Sequence, residues 1–234
     1  MMKLFKSILL SVLTSVAVFA AQSDSNVTAS VEGGYATHYI VNGLAKTKGD
    51  PFFGAKIGAS YSLADVYAAG TVVPNGATFD ESHWLMGVGK TLKLSDMFGV
   101  RVDAYGQRHQ SSIQGGINST ETDVGLAITN KFITPYIRGS YDLDINQRGY
   151  FIGGERPTSV FGLFTATPTV EYGKLTDYTT LSVRLKVSRV LFGHVEPFVE
   201  VGWYDNTFSV SKYNFAVKQF KGDIEAQAGI RWNF

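Results

Sequence analysis

The chain has 234 residues, 44% of them hydrophobic and 18% charged, with 25 glycines, 6 prolines and no cysteine. That length fits one large all-β domain or two small ones, and it can build a core without disulfides. The missing cysteine excludes a disulfide scaffold and a thiolate metal site. A formal net charge of +1 argues against nucleic-acid binding, which needs a concentrated basic face, and a mean hydropathy of +0.02 has the look of a soluble protein.

The first element is a secretory signal over residues 1–20. Lys3 and Lys6 give a positive start, residues 8–19 form an apolar run broken only by Ser and Thr, and Val18-Phe19-Ala20 supplies a small-residue cleavage site. A run of about a dozen residues falls short of the ~20 that span a bilayer as a helix. Cleavage would leave 19 basic and 20 acidic residues, a charge of −1. No later segment approaches a spanning helix, so residues 21–234 are expected to be a single exported domain.

That domain is β-branched, aromatic and glycine-rich throughout, without a linker or charge block. Twelve strand-like runs follow in order, at 26–42, 52–63, 66–73, 83–92, 98–109, 121–129, 133–145, 149–155, 162–172, 178–190, 195–204 and 222–234. An even count puts both ends on the same side of a closed up-and-down barrel. Connections on that side are tight, at 62–65, 93–97, 130–132 and 191–194. On the far side 74–82, 110–120 and 205–221 are longer. Short turns on one side and longer loops on the other belong to a membrane barrel, and a soluble sandwich has no reason for them.

The last run is the most informative. Ile224, Ala226, Ala228, Ile230, Trp232 and Phe234 alternate with Glu225, Gln227, Gly229, Arg231 and Asn233, a strict period of two ending on an aromatic residue. Here the sequence resembles bacterial outer-membrane β-barrels, whose final strand alternates in this way and ends in Phe. The resemblance implies a closed antiparallel transmembrane barrel of about 12 strands in the cell outer membrane, porin-like. It also implies that Trp232 and Phe234 signal to the barrel-insertion machinery.

Alternation alone does not say which face meets lipid. Leu181, Val183, Leu185 and Val187 alternate with Ser182, Arg184, Lys186 and Ser188, and Val195, Val199, Val201 and Trp203 with Glu196, Phe198, Glu200 and Tyr204. Two aromatic belts decide for apolar outside: Phe98, Phe132, Phe192, Trp232 and Phe234 beside the short turns, and Tyr39, Trp84, Tyr141 and Trp203 at the other rim. The polar face then carries Lys56, Arg101, Arg138, Arg184, Lys186 and Arg231, with Glu32, Asp103, Glu121, Asp123, Asp142, Asp144, Glu171, Glu196, Glu200 and Glu225.

Hairpin geometry places Glu200 opposite Lys186 or Arg184, Asp123 opposite or diagonal to Arg138, and Arg231 near Glu196. Two readings follow. Facing acidic and basic walls order a small polar or zwitterionic solute in a narrow channel, or a salt-bridged lumen fills the barrel and leaves function to the surface loops. Twelve strands lie between filled 8-stranded barrels and open 16- to 18-stranded ones, and inward Arg, Lys, Tyr and Phe would narrow the space further.

The chemistry of an enzyme is hard to find. His109 with Ser111 or Ser112 is the only close His–Ser pairing, and strand neighbours point to opposite faces. A metal site from His38, His83 and His109 at the outer rim is a remote reading. The pairs Gly33-Gly34, Gly115-Gly116 and Gly153-Gly154 are barrel glycines and not phosphate loops. Catalytic residues, metals and cofactors are therefore all expected to be absent. A second likeness lies in Tyr35-Ala36-Thr37-His38-Tyr39-Ile40-Val41-Asn42-Gly43 before Pro51, and in residues 191–198. These resemble the Gcw-type small outer-membrane proteins of unknown function, although Asn42 stands where that family has Arg.

Overall fold

The computed structural model describes residues 27–38, 40–41, 44–45, 50–60, 63–75, 78–111, 119–130, 132–144, 146–207 and 220–234. The signal segment 1–20, Tyr39, Asn42, Gly43, Ser112, Gly115-Gly116 and most of the expected loops 110–120 and 205–221 lie outside them.

The strands are β1 (Val27–Ala36), β2 (Ile40–Val41), β3 (Leu44–Ala45), β4 (Asp50–Ser60), β5 (Asp65–Asn75), β6 (Thr78–Lys93), β7 (Phe98–Ser111) and β8 (Ser119–Asn130). They continue with β9 (Thr134–Asp142), β10 (Gln147–Glu155), β11 (Thr158–Val160), β12 (Phe164–Leu175), β13 (Thr179–Ser188), β14 (Val195–Asn206) and β15 (Lys221–Asn233). Twelve of them, β1, β4–β10 and β12–β15, form one closed antiparallel barrel in chain order, sealed where β1 pairs with β15. They correspond one to one with the twelve runs legible in the sequence. β2 and β3 form a separate small hairpin between β1 and β4.

β11 continues the β10 side of β12. Pro157 has no N–H to give the ladder, so the strand breaks after Glu155, and Thr158–Val160 then re-pairs with residues 164–166.

One connection differs from expectation. Residues 74–82 are mostly strand, because β5 runs to Asn75 and β6 starts at Thr78. The ladder tolerates Pro74 because its register already shifts between Val73 and Pro74. Two more far-side connections, 143–146 and 176–178, are also tight. The long far-side connections are those after β1, β7 and β14.

Alternation holds around the wall. Val183, Leu185, Val199, Val201 and Ile230 are exposed on the outer face, and Ser182, Phe198 and Glu225 are buried on the inner one. The rings of Phe98, Phe132, Phe192, Trp232 and Phe234 on one rim, and of Trp84, Tyr141 and Trp203 on the other, are likewise exposed. Inside, buried apolar residues form only small groups, Ala36, Phe52, Val73 and Phe198 in one and Tyr204 with Phe220 in another. No continuous apolar core fills the barrel among the described residues.

Candidate functional site

The inner face is organised by ion pairs in the half nearer the β1 start and β15 end. Arg231 stands opposite both Glu32 and Glu196. Its Nε and Nη2 donate to Glu32 Oε2 at 3.0 and 2.8 Å, and Nη1 lies 3.5 Å from Glu196. A second knot ties β7 to β5. Arg101 donates to Asp103 through Nε and Nη2 and to Asp65 through Nη1 at 3.1 Å. Lys56 borders a cavity of about 430 Å³ together with Glu32, Thr71 and Arg231. It has no hydrogen bond or ion pair among the described residues.

Towards the other rim the acids are more deeply buried. Asp123 is diagonal to Arg138, with Nη1 to Oδ1 at 3.9 Å, and Arg138 also donates to the Tyr105 hydroxyl at 2.6 Å. Gln107 reaches both Glu121 and Asp123, at 2.8 and 3.0 Å. Asp142, buried opposite Glu121, caps its own turn by accepting from the Asp144 N–H. Tyr136 donates to Glu171 at 2.6 Å, and Glu225 takes His38 at 2.7 Å and the Thr37 hydroxyl.

One placement holds and two expectations are corrected. Glu200 stands opposite Lys186 as the hairpin requires, yet no ion pair joins them, because the Lys186 ammonium lies over the Phe198 ring, 4.6 Å from its centroid. Asp144 leaves the polar face. β9 ends at Asp142, and the turn carries the Asp144 carboxylate outward to Thr120 at 2.9 Å and towards Arg108 at 3.9 Å. His109 and Ser111 share the inner face, two residues apart, standing opposite His83 and Glu81 respectively.

The two histidines that come together do so as a stack. The His83 and His109 rings are 4.3 Å apart and 1° from parallel, whereas His38 is committed to Glu225. No group of His, Cys, Asp or Glu disposed to hold a metal occurs among the described residues.

Expected acidic and basic walls are not found as such, since each knot pairs a base with acids on its own strand or on strands one or two places away. The sequence reading missed Glu81, buried on the inner face, because it assigned 74–82 to a loop. Continuing the period of two back from His83 would have found it. It also missed Asp65 and the tyrosines Tyr67, Tyr105 and Tyr136, whose partners lie across the wall.

Glycines let some of the inward rings lie against the wall. A Cβ on Gly173 would fall 2.6 Å from the Phe151 ring, and one on Gly87 2.5 Å from Tyr67. Phe151, in turn, carries the Arg138 guanidinium at 4.1 Å. A second cavity, about 190 Å³, lies on the β12–β15 wall beside Arg184, Glu200 and Glu225. At the seam, Trp232 pairs with Val31 and Val195, and the Phe234 N–H donates to the Ala29 carbonyl.

No protein-family model matches the chain, and no curated protein does. Solved structures do. A KdgM porin superposes with a TM-score of 0.58 at 12% identity, over 88% of this chain and 99% of its own. The structure described as "KdgM porin in complex with disordered oligogalacturonate" gives 0.59 at 11%, over 88% and 99%. A NanC porin gives 0.54 at 14%, over 87% and 98%. At these identities the likeness establishes the fold, a closed 12-stranded antiparallel barrel of the kind these porins have.

Proposed function

We propose that the protein is a narrow channel of a Gram-negative-type outer membrane, passing small polar solutes without a cofactor. One observation carries this reading. The barrel turns aliphatic side chains and aromatic rims outward, and its charged face encloses two cavities instead of an apolar core. In water that outer face would be a large uncovered apolar patch, while in lipid it is the required surface. Similarity to structures described as porins supports the same reading.

In this reading Lys56, Arg101, Asp103, Asp123, Arg138, Asp142, Arg184, Lys186, Glu196, Glu200, Glu225 and Arg231 line the path. Outer-membrane lipid surrounds the barrel, residues 1–20 are removed on export, and Trp232 and Phe234 engage the insertion machinery. The Gcw-type likeness of the first hairpin would bring no substrate even if that were the right family.

Planar-bilayer recording of the purified protein tests the channel. Discrete conductance steps are expected, with liposome swelling in sugars, amino acids or nucleosides to rank solutes. No steps at any voltage or pH would favour the second reading, a filled barrel working through its loops. The Arg231 and Arg101 knots are the feature that favours it. A third reading, an enzyme, would require lipid or peptide turnover that disappears in His109→Ala.

A further inference from the structure

We propose that the cavity on the β12–β15 wall is a subsite for a small zwitterion, with its carboxylate on Arg184 and its ammonium on Glu200. This rests on the channel reading for the solute's route of entry. Arg184 and Glu200 both border the cavity, and cross-strand register puts Arg184 opposite Gly202 and Glu200 opposite Lys186. Gly202 has no side chain, and the Tyr204 ring lies over it, so that Tyr204 borders the cavity beside the two charges.

Opposite charges on adjacent strands ordinarily pair. Neither of these makes a hydrogen bond or an ion pair among the described residues, and Arg184 Nε is buried with no partner. Lys186, the natural mate of Glu200, lies over the Phe198 ring instead. The other two carboxylates at the cavity are occupied, Glu171 by the Tyr136 hydroxyl and Glu225 by His38 and Thr37. What remains is one guanidinium and one carboxylate that border the same small space, each attracted to charges near it, Glu171 included, but neither held by a hydrogen bond.

A buried charged group with its hydrogen-bonding capacity unfilled is costly, and a guanidinium fork matches a carboxylate in shape as well as sign. A ligand with one charge would satisfy one of the two groups and leave the other as it is. A zwitterion satisfies both. At about 190 Å³ the cavity falls below the ~300–1,000 Å³ typical of drug-sized ligands, so the fitting class is the size of a small amino acid.

The test uses the full-length barrel folded in detergent, with saturation-transfer NMR to measure dissociation constants for alanine, propionate and propylammonium. Alanine is expected to bind at least tenfold more tightly than either analogue. Arg184→Gln should weaken alanine and propionate at least tenfold and leave propylammonium unchanged, and Glu200→Gln should do the converse. Heat-dependent gel mobility verifies that each variant is folded. If Arg184→Gln does not fold, Arg184→Lys replaces it, with weaker alanine binding expected. Equal binding of alanine and propionate by wild-type protein, no alanine binding, or alanine binding unmoved in both folded variants would overturn the subsite. Bilayer recording on the same samples separates the two proposals. Steps without alanine binding remove the subsite and leave the channel, whereas Arg184-dependent binding without steps does the reverse.

Discussion

Replacing Arg231 by Gln removes a cation that ties β14, β15 and β1 together across the seam of the barrel. Its guanidinium sits 2.8 Å from Glu32 and 3.5 Å from Glu196. Charge centres ~4 Å apart attract by about 4 kcal/mol at an effective dielectric constant of 20, and by about 1 kcal/mol in bulk water. The three side chains keep 31, 27 and 15% of their surface exposed, so solvent screening and desolvation cancel much of that. A net loss of about 2 kcal/mol is expected, two carboxylates being left without their partner. In a chain of this size, ~2–4 °C per kcal/mol makes that a fall of about 4–8 °C. The readout is the temperature at which unheated-gel mobility converts to the unfolded position. Conductance should rise, because the guanidinium no longer stands on this wall of the lumen, and cation preference should rise with it. Glu32→Gln in the same chain should recover part of the stability. Melting and conductance both unchanged in Arg231→Gln would refute the idea that this knot holds the seam and narrows the path.

Three other outcomes follow from the same geometry. Leu185, 47% exposed at the middle of β13, faces the bilayer, so Leu185→Arg should cost about 2–4 kcal/mol, read as loss of the folded band after reconstitution into vesicles. Deleting Phe234 removes the N–H that bonds Ala29 at the seam, together with the terminal aromatic. Less assembled barrel and more periplasmic chain are expected on fractionation. Gly173→Val would drive a methyl into the Phe151 ring and swing it, with the stacked Arg138, into the lumen. The folded band should persist while single-channel conductance falls, and unchanged conductance would count against a path along this wall.

The strands were legible because lipid outside and water inside impose a period of two. β13 carries it throughout, β14 and β15 carry it up to the register shift at Tyr204 and Asp205, and even the ion-pair neighbours Arg231–Glu196 and Asp123–Arg138 followed from turn positions alone. The stretch 74–82 was not legible, because Pro74 and the polar residues around it have the composition of a loop while a register shift lets the ladder continue. Pairing at the level of atoms was less legible still. Whether Lys186 takes Glu200 or the Phe198 ring depends on cross-strand distances that no spacing encodes, and Asp144 left the inner face because β9 ends at Asp142, three residues before the expected end of the run. The glycines offered a signal with no assignable partner. That Gly173 makes room for Phe151 is visible only once β12 and β10 are neighbours.

The seam between β1 and β15 limits how such a chain can change in length. Any version that stops short of β15 has two edges of unpaired amides and carbonyls, which hydrocarbon cannot satisfy. Loss of a single strand would bring the ends to opposite rims, so that the edges to be joined run in the same direction. Loss of a whole hairpin leaves them antiparallel and able to close. The ring can therefore be shortened or enlarged two strands at a time, and the β10–β11–β12 segment, where Pro157 already interrupts the pairing, is the place where such an exchange would disturb the fewest bonds.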